Sequence, residues 1–236
     1  MPEHYTYLLV DFCCIIFPFL FSFHPKINFY KKWRFFWLPC LTTAVIFIVW
    51  DILFTKAGIW SFNSRFTIGI YFFRLPLEEY LFFLCIPYAC VFTYYCITLF
   101  FDLSWYKKAA NTVTLILILF LVTTALFHLP QLYTSLTFIF LASFLIFILF
   151  RKNAFLPAFY LTFSIILIPF LISNGILTGT GLSDPVVLYN NNFNSGIRIL
   201  SIPFEDTFYG MLLILMNITG FDYLVNKNLN RSVNIR

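Results

Sequence analysis

Apolar residues run along this chain in blocks separated by short charged or Gly-, Pro- and Asn-bearing segments. The blocks fall at about 5–23, 35–54, 77–101, 113–129, 132–150, 154–173 and 204–223. A helix needs roughly 17–25 apolar residues to cross a bilayer, so the pattern predicts seven transmembrane helices. The strict alternation of a membrane β-barrel is absent. The first block is too long and too aromatic for a secretory leader and lacks a small-residue cleavage site, so it counts as helix one.

Composition sharpens the class. With 61% hydrophobic residues, 11% charged and a mean hydropathy of +0.88, the chain departs strongly from a soluble domain. The fold class expected is all-α: a polytopic membrane protein of seven helices. The six cysteines, Cys13, Cys14, Cys40, Cys85, Cys90 and Cys96, all fall inside expected spans without C-x-x-C spacing or a histidine cluster. They read as buried free thiols, and no metal site is expected.

Charge between the blocks orients the chain, because cytoplasmic loops collect Lys and Arg. One side carries Lys26, Lys31, Lys32, Arg34, Lys107, Lys108, Arg151, Lys152, Lys227, Arg231 and Arg236; the other carries Lys56, Arg65, Arg74 and Arg198. This bias predicts a cytoplasmic C-terminus and an N-terminus outside. It also accounts for the net charge of +5 without a nucleic-acid partner.

Against this apolar background the carboxylates stand out, since the chain has only ten. Two adjacent pairs open long apolar blocks: Pro76-Leu77-Glu78-Glu79 and Pro203-Phe204-Glu205-Asp206. An acid deep in a bilayer costs about 2.5–3.5 kcal/mol on insertion scales and marks a candidate functional site. A shift of 127 residues also superposes Phe62-Asn63 on Tyr189-Asn190, Gly69-Ile70 on Gly196-Ile197, and Phe82 on Tyr209. Further upstream, with four residues fewer, Asp51 meets Asn174 and Gly58 meets Gly181. The chain therefore reads as a duplication: a three-helix repeat over 1–103, a linker with helix four over 104–131, and a second repeat over 132–236. The added helix makes the repeats parallel and brings both acidic pairs to one membrane face. The two longest connections, about 55–76 and 174–203, lie over that face and are candidates for function.

Taken singly, each acidic pair also reads as a helix start, with proline at the first helical position and carboxylates near the free N–H groups. The shared upstream spacing argues against that reading alone. Adjacent helical residues point about 100° apart, so one acid of each pair is expected to face the interior: Glu78 and Glu205, with Glu79 and Asp206 as partner base or orienting groups. Arg65 or Arg74 in the first half and Arg198 in the second are available to pair with an acid. Phe82 and Tyr209 follow Glu78 and Glu205 at i+4 and could flank a developing cation. Asp51, Asn63, Asn174 and Asn190 are candidates for hydrogen-bonding the acids.

These segments resemble the integral-membrane lycopene cyclase domain family, in its fused tandem form. The resemblance is carried by Trp50-Asp51, Gly58-Ile59-Trp60-Ser61-Phe62-Asn63, Gly69-Ile70, Leu75-Pro76-Leu77-Glu78-Glu79-Tyr80-Leu81-Phe82-Phe83 and Ile202-Pro203-Phe204-Glu205-Asp206. Asn174-Gly175 and Gly196-Ile197 extend it in the second half. It implies acid-catalysed, redox-neutral cyclisation of the ψ-ends of lycopene to β-rings, giving gamma-carotene and beta-carotene. The implied substrate is lycopene or a related linear carotenoid taken from the bilayer, with membrane lipid around the enzyme and association with other carotenoid enzymes left open. No cofactor is expected, because no Gly-rich dinucleotide fingerprint is present; a loosely bound redox cofactor is left open. The competing class is a multi-helix transporter using the acids for ion or proton coupling. A di-glutamate membrane protease fits less well, since His4, His24 and His128 are not repeated.

Overall fold

The computed structural model describes residues 3–151 and 154–233. Its helices are α1 (Thr6–Phe21), α2 (Trp33–Lys56), α3 (Leu77–Phe100), α4 (Lys107–Phe127), α5 (Leu132–Phe150), α6 (Leu156–Leu177) and α7 (Phe204–Val233). All seven are long and apolar enough to span a membrane. Two boundaries differ most from the sequence reading. Helix α4 starts at Lys107 rather than near 113, because the lysine stems extend a helix beyond the apolar slab while the ammonium groups stay wet. Helix α7 continues past 223 through a polar stretch, where backbone hydrogen bonding needs no apolar partner. Lys152 and Arg236 of the basic side lie outside the described residues, as does the side chain of Arg231.

Helix α1 packs on α3, α2 on α7 and α3, α5 on α7 and α4, and α6 on α3. Helices α3 and α7 therefore form the shared centre of two three-helix repeats, with α4 as the extra element. Of the six thiols, Cys40 and Cys90 are buried as expected, Cys14, Cys85 and Cys96 are half-buried, and Cys13 is exposed. An exposed Cys13 departs from the sequence reading for a simple reason: an apolar face turned to lipid tolerates a thiol as well as a core does.

The two long connections form small β elements that periodicity did not reveal. These are β1 (Trp60–Phe62), β2 (Tyr71–Phe72), β3 (Leu75–Pro76), β4 (Val187–Tyr189), β5 (Arg198–Ile199) and β6 (Ile202–Pro203). Strands β1 and β4 pair antiparallel across the halves, Trp60 opposite Tyr189 and Phe62 opposite Val187. The same 127-residue shift maps each of these pairs onto the other, so a pseudo-twofold axis passes through the ladder. Side chains repeat it, since Asn63 donates to the Pro185 carbonyl at 3.4 Å and Asn190 to the Gly58 carbonyl at 3.3 Å.

The proline of each acidic motif ends a hairpin rather than opening a helix: Pro76 pairs with Tyr71 and Pro203 with Arg198. Each hairpin is pinned by the first acid of its motif. Glu78 accepts from the Ile68 N–H and Glu205 from the Ser195 N–H, both at 2.7 Å. Gly69 and Gly196, just beyond those donors, sit at φ +83° and +75°, where an L side chain is strained.

Candidate active site

Glu79 and Asp206 face inward, reversing the expectation that Glu78 and Glu205 would. The cause is the hairpin anchor: once Glu78 and Glu205 turn back to their own loops, the next residue on each helix points about 100° away into the bundle. Glu79, Asp206 and Asp51 line one cavity of about 710 Å³, within the range of small-molecule sites. They are 7%, 5% and 3% exposed.

A tyrosine donates to each of the two inward acids. Tyr7 on α1 donates to Glu79 Oε2 and Tyr133 on α5 donates to Asp206 Oδ1, both at 2.5 Å. The two tyrosines are 126 residues apart and occupy equivalent places in the halves. The second oxygen is where the halves diverge. Asp206 Oδ2 accepts from Asn174 Nδ2 at 2.8 Å and from Tyr189 at 2.9 Å. In the first half Asp51 stands where Asn174 stands and lines the cavity beside Glu79. Two carboxyls buried together in an apolar site favour one shared proton over two charges. Tyr209, on α7 of the other half, donates to Asp51 Oδ1 at 2.6 Å. Its counterpart Phe82 also lines the cavity but has no hydroxyl to donate. Burial and the adjacent Asp206 carboxyl push the Tyr189 phenol well above its ordinary range, which keeps it a proton-bearing donor.

Aromatic rings enclose the acids. Trp60 lies 5.2 Å from Tyr133, 6.0 Å from Tyr189 and 6.1 Å from Tyr209, centroid to centroid. Beyond them the cavity is apolar, bounded by Val10, Ile86, Ile166, Phe170, Leu213 and Ile214. Such a site can hold an apolar ligand with one end against carboxyl groups and π faces.

Several candidates sit elsewhere. Asn63 and Asn190 cap short turns, accepting from the Arg65 and Asn192 N–H groups, and do not reach the acids. Arg65 bridges Glu3 and Asp184, and Arg198 binds the Ser201 carbonyl and Asn191. Arg74 is exposed, at φ +74° in the β2–β3 turn. None of these arginines pairs with a site acid, because the loops put them on the wet rim. Sequence reasoning missed Tyr7, Tyr133, Tyr189 and Trp60; the matching tyrosines of helices one and five were the available signal. It also passed over Asp11, buried in α1 with neither oxygen hydrogen-bonded, although an acid inside the first apolar block was visible.

The fold and the site together define a membrane-embedded protein with a carboxyl-tipped apolar cavity built from two fused repeats. The lycopene cyclase family model matches it twice, over residues 4–97 and 130–224, and the chain belongs to that family. The two matches coincide with the two repeats, leaving α4 between them. No curated protein and no solved structure matches the chain.

Proposed function

We propose that this chain is a lycopene β-cyclase acting by proton transfer, with the Asp51–Glu79 pair as acid and Asp206 as base. The observation that carries this reading is the convergence of Asp51, Glu79 and Asp206 on one largely apolar cavity. The proton held between Asp51 and Glu79 adds to C2 of the terminal C1=C2 double bond of a ψ-end, leaving a tertiary cation at C1. The C5=C6 double bond attacks it, forming the C1–C6 bond and moving the charge to C5. Loss of the C6 proton to a carboxylate restores a C5=C6 double bond and closes the β-ring, so the net change is an isomerisation. Asp206 suits the accepting role because Tyr133, Asn174 and Tyr189 all donate to it, which favours its ionised form. The Trp60, Tyr133 and Tyr209 faces stabilise the travelling charge, and the water-poor cavity strengthens every electrostatic contact in it.

The apolar lining suits a polyene drawn from the bilayer. In this reading the site-bearing face lies outside and the C-terminus in the cytoplasm, which the charge bias of the loops supports. Co-expression with a lycopene-producing pathway in a colourless host, followed by pigment chromatography, tests the reading. Monocyclic and bicyclic carotenoids are expected; unchanged lycopene beside well-inserted protein would refute it.

A further inference from the structure

The two halves are not equally hollow. The apolar part of the cavity reaches the lipid-facing surface along the seam between α1 and α6. Cys14 and Ser173 line the cavity from the two sides of that seam, and Phe17 and Ile172, also lining the cavity, are mostly exposed. The pseudo-twofold axis carries this seam onto the one between α5 and α2. With shifts of 126, 123 and 127 residues for the first, second and third helices of each half, Cys14 corresponds to Phe140, Ser173 to Trp50 and Gly210 to Phe83.

The equivalent places are filled there by large rings. Trp50 and Phe140 lie 5.1 Å apart, and Phe83, fully buried, lies 5.9 Å from Phe47. On the cavity side the same three positions hold a thiol, a hydroxymethyl group and a hydrogen atom. Backbone conformation does not demand the glycine at 210. A Cβ there would meet nothing closer than Phe170 Cε2 at 3.6 Å, an ordinary contact. Gly220 is the contrast, because a Cβ there would fall 2.7 Å from Pro39 Cβ, so that glycine lets α7 close on α2. What Gly210 provides is space.

We propose that the linear polyene reaches the acids through a single bilayer-facing mouth between α1 and α6, whose bore is set by Cys14, Ser173 and Gly210. The equivalent seam between α2 and α5 is plugged by Trp50, Phe83 and Phe140. The proposal rests on the cyclase reading for the identity of the ligand. Its consequence is that the two ends of one polyene take turns at one site, so monocyclic product precedes bicyclic product.

The native thiol at the mouth supplies a readout that needs no turnover. In a Cys13→Ser background reconstituted in lipid nanodiscs, the rate at which a membrane-soluble maleimide labels Cys14 is measured by peptide mass spectrometry with and without lycopene. At ten times the dissociation constant, occupancy is expected to slow labelling about tenfold. Phe140→Cys puts a thiol at the twin position, where lycopene is expected to leave labelling unchanged. Equal protection at both positions, or none at Cys14, overturns the proposal. Gly210→Phe is expected to abolish protection of Cys14 and to cut ring formation about 100-fold by displacing the reacting end, whereas Gly210→Ala keeps both. An inserted, monodisperse Gly210→Phe protein that retains protection and turnover defeats the assigned bore. If that variant does not fold, the comparison of positions 14 and 140 still decides. Protection of Cys14 without any ring formation would remove the cyclase reading and leave the mouth standing.

Discussion

Asp51→Asn is the substitution that separates chemistry from architecture most cleanly, because the second half of the chain already contains its product. There Asn174 Nδ2 donates to Asp206 at 2.8 Å. An asparagine at 51 can do the same for Glu79 while its Oδ1 accepts from Tyr209, which now donates to Asp51 at 2.6 Å. Every hydrogen bond keeps a partner and the volume is unchanged, so stability is expected to move by no more than about 1 kcal/mol. What disappears is the proton that the proposed mechanism puts between Asp51 and Glu79. Loss of a positioned general acid costs about 10²- to 10⁴-fold, or about 2.7–5.4 kcal/mol of barrier.

The assay is ring formation from lycopene by membranes containing equal amounts of tagged protein, quantified by chromatography, beside a thermal unfolding curve of the same samples. A rate within threefold of wild type would refute the assignment of the proton to this pair. So would lost activity accompanied by a destabilisation of several kcal/mol, since the substitution would then be acting on the fold.

Tyr209→Phe gives the second half the residue that the first half has at Phe82. It removes one hydrogen bond to Asp51, worth about 1.5–3 kcal/mol when one partner is charged, so turnover is expected to fall about tenfold or more with the protein still inserted. Glu78→Gln keeps an acceptor for the Ile68 N–H and should retain activity, whereas Glu78→Leu orphans that donor at a cost of about 1–3 kcal/mol. Melting curves for the two variants, read beside their turnover, distinguish an anchor from a catalyst. The β2–β3 turn places Phe73 and Arg74 at φ +49° and +74° without a glycine. A left-handed conformation costs an L residue about 1–2 kcal/mol, so Phe73→Asn with Arg74→Gly should raise the unfolding midpoint while leaving turnover unchanged.

The helices were legible because a bilayer demands long apolar runs, and the repeat because whole motifs recur at one spacing. Which acid of each pair faces inward was not legible. The facing of Glu78 is decided by a backbone donor ten residues upstream, in a hairpin too short to leave a periodic signal. The arginines misled for a related reason: Arg65 lies near the acids in sequence, but its turn directs it to Glu3 and Asp184 on the rim. Asp51 and Asn174 were visible as a pair of matching positions. Their difference, an acid in one half and an amide in the other, has meaning only once both are found beside the inward carboxyls.

That difference bears on why two copies are joined in one chain. An assembly of identical repeats must place the same side chains around both acids, so each site would carry the same proton inventory. Here three of the positions that have diverged around one cavity stand out. Asp51 corresponds to Asn174, which leaves two neighbouring carboxyls in one half and a carboxyl with three donors in the other. Tyr209 corresponds to Phe82, which sends the extra hydroxyl across the axis to Asp51. Gly210 corresponds to Phe83, which hollows one side and fills the other. Where protonation and deprotonation of a substrate end fall to different carboxyls, as proposed, unlike surroundings fix which one starts protonated and which ionised. Covalent linkage of the repeats lets each half keep a different side chain, and the proposed acid is thereby told from the proposed base.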